Sequence, residues 1–291
     1  MIRRVAIYLG LGDQLSDQYV LSFLCGRWRD AGVEIVIIDD PKRRVEADVG
    51  IMHVDSTRRS AAYDRVLESY PRVINGGARD ISKRHISANL AERGSSWSGP
   101  VIVKTNNNCF DRPDFNRRWK ESGTVQRFVS RVIDRLLPAQ RDIRRTHSYP
   151  IYESVRQVPR LVWLDRRLVV EKFLPERRDD LYCLRTWVFF GAREKALFSV
   201  SAKPIVKREN IIKSEFVDEI PVAIREARRR LGFDFGKFDF VIHQGETVLL
   251  DTNSTPTCSG KPSPRLNAIF DELAAGLFDE AELRERQVAA S

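Results

Sequence analysis

Two aspartates and an asparagine in the last quarter of the chain have the residue types and spacing of a divalent-metal site. They lie in Lys237–Thr257, KFDFVIHQGETVLLDTNSTPT. The runs KFDFVI and TVLLDT are rich in β-branched, aromatic and apolar residues and read as two strands around HQGE. A three-residue loop, His243 to Gly245, fits a type I turn closed by a glycine at positive φ. That loop sets Asp239 opposite Leu249 and Lys237 opposite Asp251. Alternation then puts Lys237, Asp239, Asp251 and Asn253 on one face, and Phe238, Phe240, Ile242, Val248 and Leu250 on the other, against a core. Asp239 and Asp251 become diagonal neighbours, roughly 7–8 Å apart at the backbone. Carboxylates that close repel unless a cation lies between them. Oxygen ligands with one amide, and no Cys or His, suit Mg²⁺ or Mn²⁺, which bind through one or two carboxylates plus substrate phosphates. The alternative is an ordinary hairpin with a wet polar face, where Lys237 and Asp251 form a surface pair worth little. The reading also depends on loop length, because a one-residue change reverses the parity.

The elements around this hairpin follow from periodicity. Residues 1–80 alternate strand and helix: RRVAIYLG, VEIVIIDD, ADVGIMHVD and RVINGG as strands, SDQYVLSFLCGRWRDAG and RRSAAYDRVLESY as helices. This is a small α/β unit on a parallel sheet. GLGDQ after the first strand lacks the third glycine of a nucleotide fingerprint and reads as a tight turn. DISKRHISANLAERG is expected to be helical, and GPVIVK is a strand ending in Lys104. A basic segment of mixed helix and loop fills 111–160. RLVVEKFLPE and YCLRTWVFFGAREKALFSVSAKPIVK read as antiparallel strands, EFVDEIPVAIREARRRLGF as a helix, 256–264 as a loop, and a polar helix closes the chain.

The bulk properties bound the class. The 291 residues are 42% hydrophobic and 31% charged, with a formal charge of +9. That suits a soluble protein of two or three subdomains. No apolar run is long enough to span a bilayer and no signal peptide is legible, so a cytoplasmic protein without a membrane partner is expected. Cys25, Cys109, Cys183 and Cys258 have no ligand spacing and read as free thiols. No His stands near Cys258 to make it a nucleophile. The positive charge fits an anionic ligand such as a nucleotide; nucleic acid is a minor alternative.

Taken in order, Lys104, EKFL (171–174), KFD (237–239) and LLDTN-TPT (249–257) resemble the motifs of the ATP-grasp superfamily over roughly residues 80–265. The resemblance implies an α/β and α+β organisation: an N-terminal parallel-sheet domain (1–82), a first lobe with an insertion (83–174), and a second lobe carrying the metal site (175–291). In that family the two lobes clamp ATP between antiparallel sheets, and the same is implied here. Lys83, Lys104, Glu171, Lys172, Phe173, Leu174 and Lys203 fall on nucleotide-binding positions. Pro175 ends regular pairing, leaving backbone groups of Glu171 to Leu174 for the adenine edge. Asp239, Asp251 and Asn253 fall on the metal triad. The resemblance puts Lys237 where an arginine often lies near the transferred phosphoryl, and Arg185 is a candidate clamp for phosphate or carboxylate. Lys207 is a weaker candidate.

The implied activity is an ATP- and Mg²⁺-dependent ligase joining a small-molecule carboxylate to an amine through an acyl phosphate. A kinase on the same fold, or a non-catalytic nucleotide or nucleic-acid binder, is the alternative. A homodimer is also an implied possibility. Two departures from the family pattern stand out. The second carboxylate is Asp251 where glutamate is usual. The run after Lys104, TNNNCFDRPDFN, has no glycine where a flexible phosphate flap is expected. Asparagine tolerates positive φ, so a stiffer flap is the expectation there.

Overall fold

The computed structural model describes residues 2–258 and 263–279. The chain opens with β1 (Arg4–Tyr8), α1 (Val20–Asp30), β2 (Glu34–Ile38), β3 (Val49–Met52), α2 (Ala62–Leu67) and β4 (Arg72–Ile74). The four strands form a parallel sheet in the order β2-β1-β3-β4. α1 buries Val20, Leu21, Leu24, Cys25 and Trp28 on one face of that sheet. Tyr63, Val66 and Leu67 of α2 cover the other. Gly32, at φ +83, turns the chain after α1, a conformation that costs glycine little.

Next come α3 (Lys83–Ile86), β5 (Val101–Thr105), α4 (Arg112–Glu121), α5 (Thr124–Leu136), α6 (Pro138–Thr146), β6 (Ile151–Tyr152), α7 (Arg160–Leu164) and β7 (Leu168–Lys172). Strands β6-β5-β7 form a small antiparallel sheet with its own core of Val101, Val103, Leu168, Val170 and Ile143. The helix expected over DISKRHISANLAERG is a single turn, because Ser87 turns extended at its end and Leu90 bridges to Glu171.

The remainder is β8 (Glu176–Arg178), β9 (Leu181–Phe190), β10 (Arg193–Ser201), β11 (Ile211–Val217), α8 (Val222–Arg230), β12 (Phe235–His243), β13 (Glu246–Asn253) and α9 (Pro264–Ala275). These strands form a sheet of order β11-β10-β9-β12-β13, with β8 on β9. β11 takes residues expected to begin a helix; the helix starts only after Pro221. The Pro- and Ser-rich loop expected at 256–264 lies in part, and the chain end from 280 entirely, outside the described residues.

The large sheet and the N-terminal sheet share one core. Phe190, Phe235, Phe270 and Leu273 pack with Leu21, Leu24 and Trp28. Asn75 stitches the joint: its Oδ1 accepts from the backbone N–H of Asp234 and Phe235, both at 2.9 Å, and its Nδ2 donates to the Phe235 carbonyl at 2.8 Å. Gly77 and Gly232 meet backbone to backbone, so closely that a Cβ on Gly77 would lie 2.9 Å from the Gly232 Cα.

The β12–β13 hairpin differs from expectation in two compensating ways. Its loop has two residues, Gln244 at φ 51 and Gly245 at φ 86, between paired His243 and Glu246. Positive φ at both positions is the type I′ geometry that matches strand twist. Further along, Asp239 pairs with Asp251 but Phe240 pairs with Leu249, so Leu250 is a bulge. Each offset is one residue, and together they restore the expected parity at the acids. Lys237, Asp239, Asp251 and Asn253 do share a face, but Asp239 is directly opposite Asp251 and Lys237 is opposite Asn253. Between bulge and turn the parity is reversed. Leu249, and neither Val248 nor Leu250, joins Phe238 and Phe240 in the core.

Candidate active site

The bulge creates the site's acid pair. Directly opposed residues have Cβ atoms about 4.5–5.5 Å apart, close enough to repel unless compensated, and each acid is compensated. Asp239 accepts from Thr186 Oγ1 at 2.8 Å on one oxygen and holds Lys237 Nζ at 2.9 Å on the other. Asp251 holds Lys83 Nζ at 2.5 Å and accepts from the Thr252 N–H at 2.8 Å. The Asp239 carboxylate, with a smaller contribution from Asp251, raises the Lys237 ammonium above its ordinary value against the opposing effect of burial. Lys83 is buried, and α3 aims it; its second bond goes to Asn108 Oδ1 at 2.6 Å. Asn108 Nδ2 in turn donates to the Thr252 carbonyl at 2.6 Å.

The small sheet supplies the facing wall. Lys104 on β5 and Glu171 on β7 are both nearly buried, 2.7 Å apart. A pair this dry is favourable only if both groups are well coordinated. Yet Glu171 Oε1 is buried with no hydrogen-bond partner. Lys172 lies over the Trp97 ring at 5.1 Å. Phe173, Leu174 and Val241 line the same cleft of about 170 Å³, with Asp239 and Asp251 at its edge. The amides expected to be free for an adenine edge are in part taken: Lys172 N donates to the Asn89 carbonyl at 2.8 Å and Phe173 N to the Pro100 carbonyl at 2.9 Å.

No family model matches the sequence, and no curated protein matches it either. Solved structures do match along nearly the whole chain. A RimK domain protein of Sphaerobacter thermophilus, described as ATP-grasp, aligns with a TM-score of 0.52 at 14% identity, covering 95% of this chain and 100% of that one. D-alanine–D-alanine ligase from Bacillus anthracis aligns at 0.50 and 13% identity, covering 99% of each chain. The ATP-grasp ligase PsnB, in a complex with a precursor variant, Mg and ADP, aligns at 0.50 and 11% identity over 92% of this chain and 98% of that one. The chain has the ATP-grasp fold.

On that fold, Lys83, Lys104, Glu171, Lys172, Phe173, Leu174, Asp239 and Asp251 converge on one cleft between the two antiparallel sheets. Lys237 joins through Asp239. Arg185 does not. The register pairs it with Phe240, on the face opposite Asp239, where it forms a two-pronged ion pair with Glu176, 2.8 Å at its closest, over the Phe198 ring. Thr186 holds the position on the acid face instead. Lys203 is exposed outside the cleft, and Lys207 Nζ donates to the His147 carbonyl. Asn253 shares the acid face, but its Oδ1 accepts from Thr255 N at 2.8 Å in a local turn. Among the described residues no group of three or more His, Cys, Asp or Glu gathers as a metal cluster. The residues that could hold a cation here are Asp239 and Asp251, each paired with a lysine, with Asn253 only after releasing Thr255.

The glycine-free run after Lys104 is tied down by its asparagines. The Asn106 carbonyl accepts from Lys83 N, Asn107 Nδ2 donates to Asp111 Oδ1 at 2.7 Å, and Asn108 is committed to Lys83 and Thr252. Positive φ falls on Cys109, Phe110 and Asp111, at 49°, 57° and 62°, and on none of the three asparagines. Such conformations cost a non-glycine residue roughly 1 kcal/mol or more each. The buried Asp111, bonded to Arg118 at 2.8 Å and to Gln140, offsets that cost. Asn108 and Thr186 were missed from the sequence. A run of three asparagines was the available signal for the first; nothing local marks the second.

A second cavity, of about 330 Å³, opens where the carboxyl ends of β1 and β3 face α4. The chain turns to opposite sides of the parallel sheet at this point, where open α/β sheets bind ligands. His53, Tyr19, Asp55 and Arg117 line it. Asp55 accepts from Tyr19 at 3.3 Å and from Thr255 Oγ1 at 3.1 Å. Burial pushes its carboxyl above the usual range. Thr255 also contacts Asn253 Oδ1, at 3.3 Å from its hydroxyl, linking the two cavities.

Proposed function

We propose that this chain is an ATP-dependent ligase that activates a carboxylate as an acyl phosphate and couples it to an amine. The reading is carried by one observation: two carboxylates paired beside a bulge at the edge of a cleft whose walls carry Lys83, Lys104 and Lys172, with Lys237 held on Asp239. Asp239 and Asp251 would hold Mg²⁺, which offsets the charge of the ATP phosphates. Lys83 and Lys237 are the ammonium groups a metal on those aspartates would release toward phosphate oxygens. Phe173, Leu174 and Val241 supply the apolar walls for the base, and Glu171 Oε1 an acceptor for its exocyclic amine.

In this reaction a substrate carboxylate oxygen attacks the γ-phosphorus and the bond to the ADP oxygen breaks. The amine, deprotonated to its neutral form, then attacks the carbonyl carbon, phosphate leaves, and the proton the nitrogen sheds goes to the departing phosphate. Positioning and electrostatic stabilisation supply most of the rate in such transfers. The cavity beside Asp55 is the place for the amine, since a carboxylate there suits an ammonium and Thr255 connects it to the metal face.

The experiment is ATP turnover with Mg²⁺ and mixed carboxylates and amines. Asp251→Ala is expected to abolish Mg²⁺-linked ADP formation while leaving the fold intact. Loss of the fold alone would not count, so Mg²⁺-dependent ATP affinity is measured by calorimetry on the same variant. Phosphate released only when both substrates are present marks a ligase; a stable phosphoester from one substrate marks a kinase. Nucleotide binding without turnover is a second reading, favoured by the tied-down Asn106–Asp111 segment, and ATP binding with no product under any substrate pair would establish it.

A further inference from the structure

Helix α5 is built inside out. Val125, Phe128, Val129, Val132, Ile133 and Leu136 fall on one face at helical spacing, and that face is turned to solvent, at 74%, 65%, 48%, 40%, 38% and 66% exposure. None of the helix's residues is buried. Its polar side holds it to the protein: Arg127 Nε donates to the Trp119 carbonyl at 3.1 Å, and Asp134 pairs with Arg144 at 3.0 Å and Arg167 at 2.7 Å. A surface helix normally buries its apolar stripe and shows its charges. The stripe amounts to about 500 Å² of apolar surface, the upper range for a monomer and a mark of an interaction site.

We propose that α5 docks this protein on an anionic lipid surface, with the stripe entering the bilayer interface and flanking arginines meeting the headgroups. Charge selects the occupant. From Arg112 to Thr146, helices α4–α6 hold ten Lys and Arg against four Asp and Glu, a net +6 of the chain's +9. Arg131 and Arg135 are exposed beside the stripe. An antiparallel pairing with a second copy would set those arginines on the same flank as their counterparts and bring two strongly basic regions together. Nucleic acid would meet an apolar ridge where it needs donors. A basic amphipathic helix lying in the interface plane satisfies both features, and each basic residue near an anionic leaflet adds about fivefold in affinity. The expectation of no membrane contact rested on a missing span; among the described residues no helix is long and apolar enough to cross a bilayer, and lying on one requires none.

The test is co-sedimentation of the full chain with vesicles of phosphatidylcholine alone or of phosphatidylcholine and phosphatidylglycerol in equal parts. Binding is expected to the anionic vesicles only and to weaken at least tenfold between 0.1 and 0.5 M NaCl, on the counter-ion argument. Phe128→Ser with Leu136→Ser, and separately Arg131→Glu with Arg135→Glu, should each lower it at least tenfold. Both double variants change exposed side chains, so their circular dichroism and thermal midpoint should match the parent. The proposal is overturned by no binding at 0.1 M salt, by equal binding to neutral vesicles, or by serine variants that bind like the parent. A concentration-dependent dimer in sedimentation equilibrium that the serine changes dissociate would also overturn it.

Discussion

His53 is a buried titrating group that the native state must keep neutral. It is 2% exposed, both ring nitrogens lack a partner, Tyr19 meets it edge-on at 4.7 Å, and Phe235 stacks at 6.2 Å. Burial lowers its pKa from 6.5 to about 3. Between those values the unfolded chain binds a proton that the native state refuses, so stability falls as pH drops through the window. A shift of that size costs about 2 kcal/mol between pH 7 and pH 5, and about 4 kcal/mol by pH 3. Asp55, which Tyr19 touches, acts in the opposite sense: its raised pKa adds stability as pH falls. Comparing the parent with His53→Leu therefore isolates the imidazole. Urea unfolding at pH 7 and pH 5, followed by fluorescence and far-ultraviolet dichroism, should show His53→Leu at least as stable at pH 7 and short of that 2 kcal/mol loss at pH 5. A variant that weakens on acidification as much as the parent would refute the assignment.

Lys104→Met leaves the Glu171 carboxylate buried without its cation and is expected to cost about 3–5 kcal/mol in urea unfolding. Adding Glu171→Leu should recover most of that loss, and no recovery would argue against a dry pair. Leu249→Asp places a charge among Phe238 and Phe240 and should abolish cooperative unfolding. Leu250→Asp, in the cleft, should leave stability within about 1 kcal/mol and weaken ATP binding in calorimetry; the reverse ranking would restore the three-residue-loop register. Gly77→Ala must move the Gly232 backbone and is expected to lower stability by about 1–3 kcal/mol, read from the urea midpoint.

Strand and helix order was legible because period two and period 3.6 patterns report burial directly, as in KFDFVI and α1. The acid face came out as expected only because the shorter turn and the bulge each shift the register by one residue and together restore the parity. The turn was not legible, since Gln244 rarely adopts positive φ, and the bulge at Leu250 has no local signature. Arg185 lies one step of alternation from the acid face: it shares a strand with Thr186, and only cross-strand register says which of the two faces Asp239. Helix α5 lies inside a segment that reads from sequence only as mixed helix and loop. Its outward stripe goes with the ion pairs of Asp134 to Arg144 on the next helix and to Arg167 just before β7.

The joint at Gly77 and Gly232, with Asn75 beside it, welds the parallel sheet to the large sheet through backbone contact and a common core. Among the described residues no such weld reaches the small sheet, whose core is separate and whose ties to the rest include the bonds from Lys83, Lys104 and Asn108 to Asp251, Leu250 and Thr252. Closure on a ligand is therefore expected to carry the small sheet against the two welded ones. The ties it would have to remake are polar, so a ligand that competes for those amines would weaken them.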